Sequence, residues 1–193
     1  MQAGEPVLRQ QAQSLSPDQV TLAEIQNLIQ WMRETMRDAP GVGLAAPQIG
    51  LPIQLAVIED RPEYTKDIPA ERLAERQRQC IPFHVLINPR IVTQSEEQIE
   101  FFEGCLSLAG FSALVKRSRS VTVECLDENA NPKRIEAAGW YARILQHEID
   151  HLQGRLYIDR MEPRSFMGLD NLNRYWKDLP VSTIRERLGL PCD

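Results

Sequence analysis

The apolar residues of this chain follow two periods, and the clearest helical one begins at Ser16. Ser16-Pro17-Asp18-Gln19 offers an N-cap serine, a proline at the first helical position, an acid in the first turn and a glutamine where a capping box needs one. Leu22, Ile25, Ile29, Met32 and Met36 then recur at steps of three and four, the stripe of a helix packed on a core, and Ala39-Pro40-Gly41 ends it. Period-two or continuous apolar runs follow. Ile53 to Ile58 predicts a buried strand, and Val85-Leu86-Ile87 predicts another, stopped at Asn88-Pro89 and continued beyond a kink by Ile91-Val92-Thr93. Ile99, Phe101 and Cys105 alternate with polar or small residues as a half-buried strand does. Val121 to Leu126 is a strand, Asp127 to Pro132 a turn, and Lys133 to Glu136 its hairpin partner.

A second helix is predicted from about Ala137 to Gln153, with Gly154 as its C′ residue. Trp140, Ile144, His147 and His151 share one side of it, and Tyr141, Leu145, Ile149 and Leu152 the neighbouring side. A helix this apolar around its circumference sits centrally, with strands packed about it. The expected fold is therefore α+β: one domain over residues 1–193, with antiparallel or mixed strands around a buried helix. Residues 60 to 80, charged and carrying Pro62 and Pro69, read as a surface insertion with a short helix from Ala70 to Gln79. Residues 162–193 read as a polar tail broken by Pro163 and Pro180, with one short amphipathic helix through Leu169, Leu172, Tyr175 and Trp176.

Composition narrows the class. At 193 residues, with 42% hydrophobic and 25% charged residues, the chain is an ordinary globular domain. A net charge of −5 argues against a dedicated nucleic-acid binder. No apolar run is long enough to span a membrane, and the first residues lack the charged start and apolar centre of a secretion signal. Cys80, Cys105, Cys125 and Cys192 are widely spaced and read as free thiols of a reducing compartment.

The chemistry concentrates at Gln146-His147-Glu148-Ile149-Asp150-His151, an H-E-x-x-H pattern within the second helix. Residues four apart on a helix lie roughly 40° apart around the axis, so His147 and His151 can hold one metal ion. Glu148 lies close enough to act on a water activated there without being a ligand. The third ligand is open on residues alone. The downstream acids Asp159, Glu162 and Asp170 would complete a zinc endopeptidase, but no motif surrounds them. Glu103-Gly104-Cys105-Leu106-Ser107 offers a thiolate, which with two imidazoles leaves a coordination position free, although Cys105 reads equally well as a small buried hydrophobe. The bare backbone of Gly41-Val42-Gly43-Leu44-Ala45-Ala46-Pro47-Gln48 is either a tight helix-to-strand connection or a place where another chain comes close.

Those three segments, in this order and at these intervals, resemble the three signature motifs of the peptide deformylases, and with the Gly4-Glu5-Pro6-Val7-Leu8 start the resemblance covers nearly the whole chain. Arg155 to Met161, Arg164-Ser165-Phe166 and the 60 to 80 insertion are similar to the branch that includes organelle deformylases. One departure is Leu108-Ala109, where bacterial relatives often carry an Ile/Val-Pro step in the substrate groove.

The resemblance implies hydrolysis of the N-formyl group from the initiator methionine of nascent polypeptides, with metal ligands Cys105, His147 and His151 and Glu148 as the general base. It implies an oxyanion held by the Leu106 N–H and the Gln48 side-chain amide. A peptide would lie along Gly41, Gly43 and Gly104, with Val42, Phe101, Trp140 and Ile144 around the methionine side chain. Glu103 and Arg117 would pair to steady the cysteine loop. The family metal is usually Fe²⁺, while Zn²⁺, Ni²⁺ and Co²⁺ also suit sulfur and imidazole ligands. The implied partners are N-formylmethionyl nascent peptides and the ribosome surface near the exit, and the compartment is the bacterial cytoplasm or, after loss of a transit peptide, an organelle interior. A non-enzymatic reading, a metal-stabilised binding module at the ribosome exit, stands beside it.

Overall fold

An amphipathic helix hydrophobic on most of its faces needs walls on several sides, and the helix Gly139–Leu152 obtains them from two antiparallel sheets. The computed structural model describes residues 1–191; Cys192 lies outside the described residues. The elements are α1 (Pro17–Val20), α2 (Ala23–Asp38), β1 (Gly43–Ala45), β2 (Leu55–Asp60), α3 (Ala70–Glu75), β3 (Ile81–Gln94), β4 (Gln98–Gly104), β5 (Phe111–Ser118), β6 (Ser120–Leu126), β7 (Pro132–Ala138), α4 (Gly139–Leu152), β8 (Met167–Gly168), α5 (Leu169–Asn171) and α6 (Val181–Arg187). One sheet has the order β1-β2-β3-β6-β7 and the other β4-β5-β8, and the pairings within both are antiparallel. The fold is α+β as the residue pattern predicts. Ala142, Ile144, Leu145, Ile149 and Leu152 of α4 are buried against the larger sheet, while Leu28, Ile29, Met32 and Met36 of α2 build a second core on β1 and β2.

The capping box at Ser16 is present: its hydroxyl accepts from the Gln19 N–H at 3.3 Å while the Gln19 side chain accepts from the Ser16 N–H at 2.8 Å. It caps only one turn. The chain breaks at Thr21-Leu22 and restarts, so Leu22 is an exposed residue ahead of α2 rather than part of the core stripe. The kink expected at Asn88-Pro89 is a bulge inside one 14-residue strand: Asn88 takes φ +50 and the β3–β6 register shifts between Ile87 and Arg90. Its side-chain amide bonds both backbone groups of Leu15, at 2.9 and 2.7 Å, which anchors the approach to α1.

Strand β5 is an element the residue pattern gives no sign of. Ser112, Ala113, Leu114 and Val115 are buried in succession between β4 and β8, so no period-two alternation appears. Helix α4 begins two residues later than expected because Ala137 and Ala138 belong to β7. Gly154 does follow its end, at φ +72, where an added Cβ would stand 2.8 Å from the backbone of Arg9.

Residues 60–80 are only partly a surface insertion. Asp60 is buried and receives two hydrogen bonds from Arg78, at 2.7 and 2.9 Å. The Arg76 carbonyl accepts from the Trp140 N–H at 2.8 Å, and the Arg76 guanidinium lies 5.3 Å from the Phe101 ring and 5.4 Å from that of Trp140. Gly139, at φ +59, allows this contact, since a Cβ there would meet Gln77 Cβ at 2.5 Å. The single tail helix is likewise replaced: α5 runs into a π-helical turn over Leu172–Trp176, and α6 follows, tied to β4 by an Arg185–Glu100 hydrogen bond of 2.8 Å.

Candidate metal centre and active site

The i, i+4 spacing of His147 and His151 sets their rings one above the other, with centroids 5.0 Å apart. Cys105 comes from the end of β4, where it caps a 3₁₀ turn over Leu106–Leu108. Ligand atoms of Cys105, His147 and His151 all lie within 4.8 Å of one another, and Cys105 Sγ is 3.2 Å from His151 Nε2. Among the described residues this is the one group of three or more His, Cys, Asp or Glu side chains so placed. Asp159, a rival third ligand, is taken up instead by Arg9 and by the Leu156 N–H at 2.9 Å.

The position of His147 is set from behind. Its Nδ1 is 3.0 Å from Glu103 Oε2, which leaves Nε2 to face the other ligand atoms. Glu103 is buried and also accepts from Arg117 Nε and Nη2, both at 2.9 Å, and from Arg143 Nη1 at 2.6 Å. Burial pushes the Glu103 carboxyl upward, but the hydrogen bond from His147 and the charge and hydrogen bonds of Arg117 overcome it and hold the group well below the carboxylate range. Arg117 also reaches Asp150, which Arg160 clasps at 2.8 and 3.0 Å. The expected Glu103–Arg117 pair is thus no weak surface contact but the centre of a buried network. Arg143, Asp150 and Arg160 went unrecognised in the sequence. A cue existed for Arg143: an arginine one turn before His147 on an apolar helix must find an acid. Tyr157, whose buried ring stacks 6.4 Å from that of His147, carried no cue at all.

A cleft of about 480 Å³ opens over these groups. Gly41, Val42, Gly43 and Gln48 line one side, Gly104, Cys105 and Leu106 the other, and Trp140, Ile144, His147 and Glu148 its floor. Phe101 does not line it; that ring lies buried under the guanidiniums of Arg76 and Arg143. Arg78 and Leu169, from the insertion and the tail, join the wall. The Gln48 amide is oriented by accepting from the Ala45 N–H at 2.8 Å, and its Nε2 lies 3.5 Å from Cys105 Sγ and 3.3 Å from Ser107 Oγ. Burial raises the Glu148 carboxyl to about 7, and its Oε2 is buried without a hydrogen-bond partner. One soft cysteine sulfur, two imidazoles and an unpartnered carboxyl oxygen beside them form a donor set suited to a divalent transition metal with a coordination position left for an oxygen ligand.

A family model described as polypeptide deformylase matches residues 1–166. The chain belongs to that family. It is 43% identical over 190 residues to the chloroplastic peptide deformylase 1A of Solanum lycopersicum, covering 98% of this chain and 67% of that protein. It is 47% identical over 190 residues to peptide deformylase 1 of Bifidobacterium longum, covering 98% and 84%. The mitochondrial peptide deformylase of Homo sapiens is 40% identical over 175 residues, covering 91% of this chain and 70% of that protein. Among solved structures, a Synechococcus elongatus peptide deformylase in complex with actinonin superposes with a TM-score of 0.70 at 35% identity, covering 98% of this chain and 85% of that one. Relatives thus include organelle and bacterial deformylases, and among the described residues no helix is long and apolar enough to cross a membrane. The α5–α6 tail lies beyond the family match, yet supplies Leu169 to the cleft.

Proposed function

We propose that this protein hydrolyses the N-formyl group from the methionine of newly made polypeptides, releasing formate and a free amine. The observation that carries the reading is the convergence of the Cys105, His147 and His151 donor atoms with Glu148 and Gln48 on one cleft. When bound, a divalent ion held by those three ligands supplies Lewis-acid polarisation and lowers the pKa of water. Fe²⁺ is the proposed physiological metal, with Zn²⁺, Ni²⁺ and Co²⁺ as substitutes in purified protein.

Glu148, with a carboxyl near neutrality, takes a proton from water as its oxygen adds to the formyl carbon. The oxyanion that develops is met by the Gln48 amide and the Leu106 N–H, each such donor contributing roughly 3–4 kcal/mol at the transition state. Glu148 then returns the proton to the methionyl nitrogen as the C–N bond breaks. Gly41, Gly43 and Gly104 leave room for an extended peptide held through its main chain, so recognition need not read sequence beyond the methionine. Val42, Trp140 and Ile144 surround the methionine side chain. Glu103 and Arg117 hold the His147 ring. Such substrates appear at the ribosome exit, in a bacterial cytoplasm or an organelle interior.

The test is formate release from a formyl-methionyl peptide by protein reconstituted anaerobically with Fe²⁺ or Ni²⁺. Glu148→Ala should abolish it with the metal retained, and Cys105→Ala should abolish tight metal binding. Metal retained by Cys105→Ala would point to an endopeptidase-like ligand set, and no formate at any metal loading would point to a binding module.

A further inference from the structure

Residues 1–3 lie across both loops that carry the proposed oxyanion donors. The Met1 backbone nitrogen donates to the Gln48 carbonyl at 2.6 Å, and the Ala3 N–H donates to the Ser107 carbonyl at 2.7 Å. Between them the Gln2 side chain spans the 106–109 turn: Nε2 donates to the Leu106 carbonyl at 3.0 Å, and Oε1 accepts from the Ala109 N–H at a longer 3.5 Å. Only one orientation of that amide satisfies a carbonyl and an N–H together. The Met1 side chain is seated on Gly50, at φ +91, where a Cβ would stand 2.7 Å from Met1 Cε.

Side chains hold the turn from below: Ser107 Oγ accepts from Gln48 Nε2 at 3.3 Å, and Leu106 and Leu108 pack on neighbouring core clusters, while its outward carbonyls face residues 1–3. Its own bonds are Leu108 N–H to the Cys105 carbonyl at 3.0 Å and Ser107 N–H to Cys105 Sγ at 3.4 Å. The carbonyls of Leu106 and Ser107 find their partners in Gln2 and Ala3. The N–H of Leu106, first residue of the turn, has no intrahelical acceptor and stays available. The peptide plane that carries the Leu106 N–H has the Cys105 carbonyl, held by the Leu108 N–H, and Gln2 holds the next plane, through the Leu106 carbonyl. With both planes flanking the Leu106 Cα fixed, its N–H keeps one direction, and catalytic donors are effective in proportion to such preorganisation.

We infer that residues 1–3 form a strap that sets the spacing of the two oxyanion donors, with Gln2 the positioning residue for the Leu106 N–H. This rests on the deformylase reading given above. Gln2 touches no reacting atom; it acts through the 106–109 turn.

Gln2→Ala and the isosteric Gln2→Met, which keeps bulk and loses both hydrogen bonds, test it. Each should lower kcat on formyl-Met-Ala-Ser by about two- to tenfold, the value of one exposed hydrogen bond. KM, the Kd of the product peptide Met-Ala-Ser, metal content and Tm should equal those of the unaltered protein. Hydrogen exchange at the amides of 106–109 should quicken while other segments are unchanged. Unaltered kcat in both variants would overturn the inference, as would a loss of kcat matched by loss of metal or of Tm. If the unaltered protein releases no formate, the deformylase reading fails by itself. Exchange then decides for the strap: an unchanged rate at 106–109 in Gln2→Ala overturns it, and local acceleration supports it.

Discussion

Gly43 and Glu148 compete for one space: a Cβ built on Gly43 would stand 2.2 Å from Glu148 Oε1 and 2.6 Å from its Cδ. The bare backbone there serves the carboxylate as well as any peptide. Gly43→Ala should therefore displace Glu148, at about 1–3 kcal/mol in stability for the overpacking and about 100-fold or more in kcat for the misplaced base. Gly41→Ala is the comparison: its Cβ would stand nearest the flexible end of the Leu106 side chain, at 3.0 Å, with the Gly43 and Met36 carbonyls at 3.5 Å, so it should raise KM for the peptide without displacing Glu148. Steady-state kinetics and metal analysis on both variants check this; equal losses would contradict it.

Removing the charge of Glu103 leaves the buried guanidiniums of Arg117 and Arg143 without their shared negative partner, with Asp150 the one carboxylate remaining to Arg117. Glu103→Gln should lower stability by about 3–5 kcal/mol. His147 loses its orienting partner at the same time, so metal affinity should fall by about 10- to 100-fold. Thermal unfolding and metal titration read the two effects separately.

Acid should weaken the seam between α2 and β2. Hydrogen bonds from Arg37, at 2.7 Å each, hold the Glu59 carboxyl below its ordinary value of 4.5, against the opposing effect of burial. A depressed carboxylate contributes stability that is fully present above its unfolded value and is lost as pH falls through its lower folded value. The Tm difference between the unaltered protein and Glu59→Gln should be constant at neutral pH and shrink below about pH 4.5. A difference that grows on acidification would refute the assignment.

Thiol chemistry should separate two cysteines. Cys80 is exposed, whereas Cys125 is buried, and that burial pushes its thiol up to about 11. Iodoacetamide near pH 8, a little below the ordinary thiol value, should modify Cys80 in the folded protein and reach Cys125 only on unfolding. Mass-spectrometric mapping of the modified sites decides it.

What could be read from the residues was local. The Ser16 capping box, the helix bearing His147 and His151 and the hairpin of β6 and β7 each rest on groups within one or two turns of one another. Patterns that depend on distant partners misled. Leu22 continues a helical stripe, yet the chain breaks there, and β5 has no alternation because Ser112 to Val115 are buried in succession, whichever face they point to. Phe101 is apolar and near the motif, but the guanidiniums of Arg76 and Arg143 cover it away from the cleft.

By itself the sequence determined the i, i+4 pair of imidazoles, the carboxylate between them and the family likeness carried by three short segments, because helix geometry and motif spacing need no knowledge of the rest of the chain. Only the tertiary structure places a thiol 42 positions before His147 within reach of that pair, gives Glu103 three side-chain partners, and lays residues 1–3 against the turn after the thiol. Those relations depend on dehydration and on contacts between segments far apart in the chain. Hydrogen bonds and charges gain their strength there only once the packed sheets have excluded water.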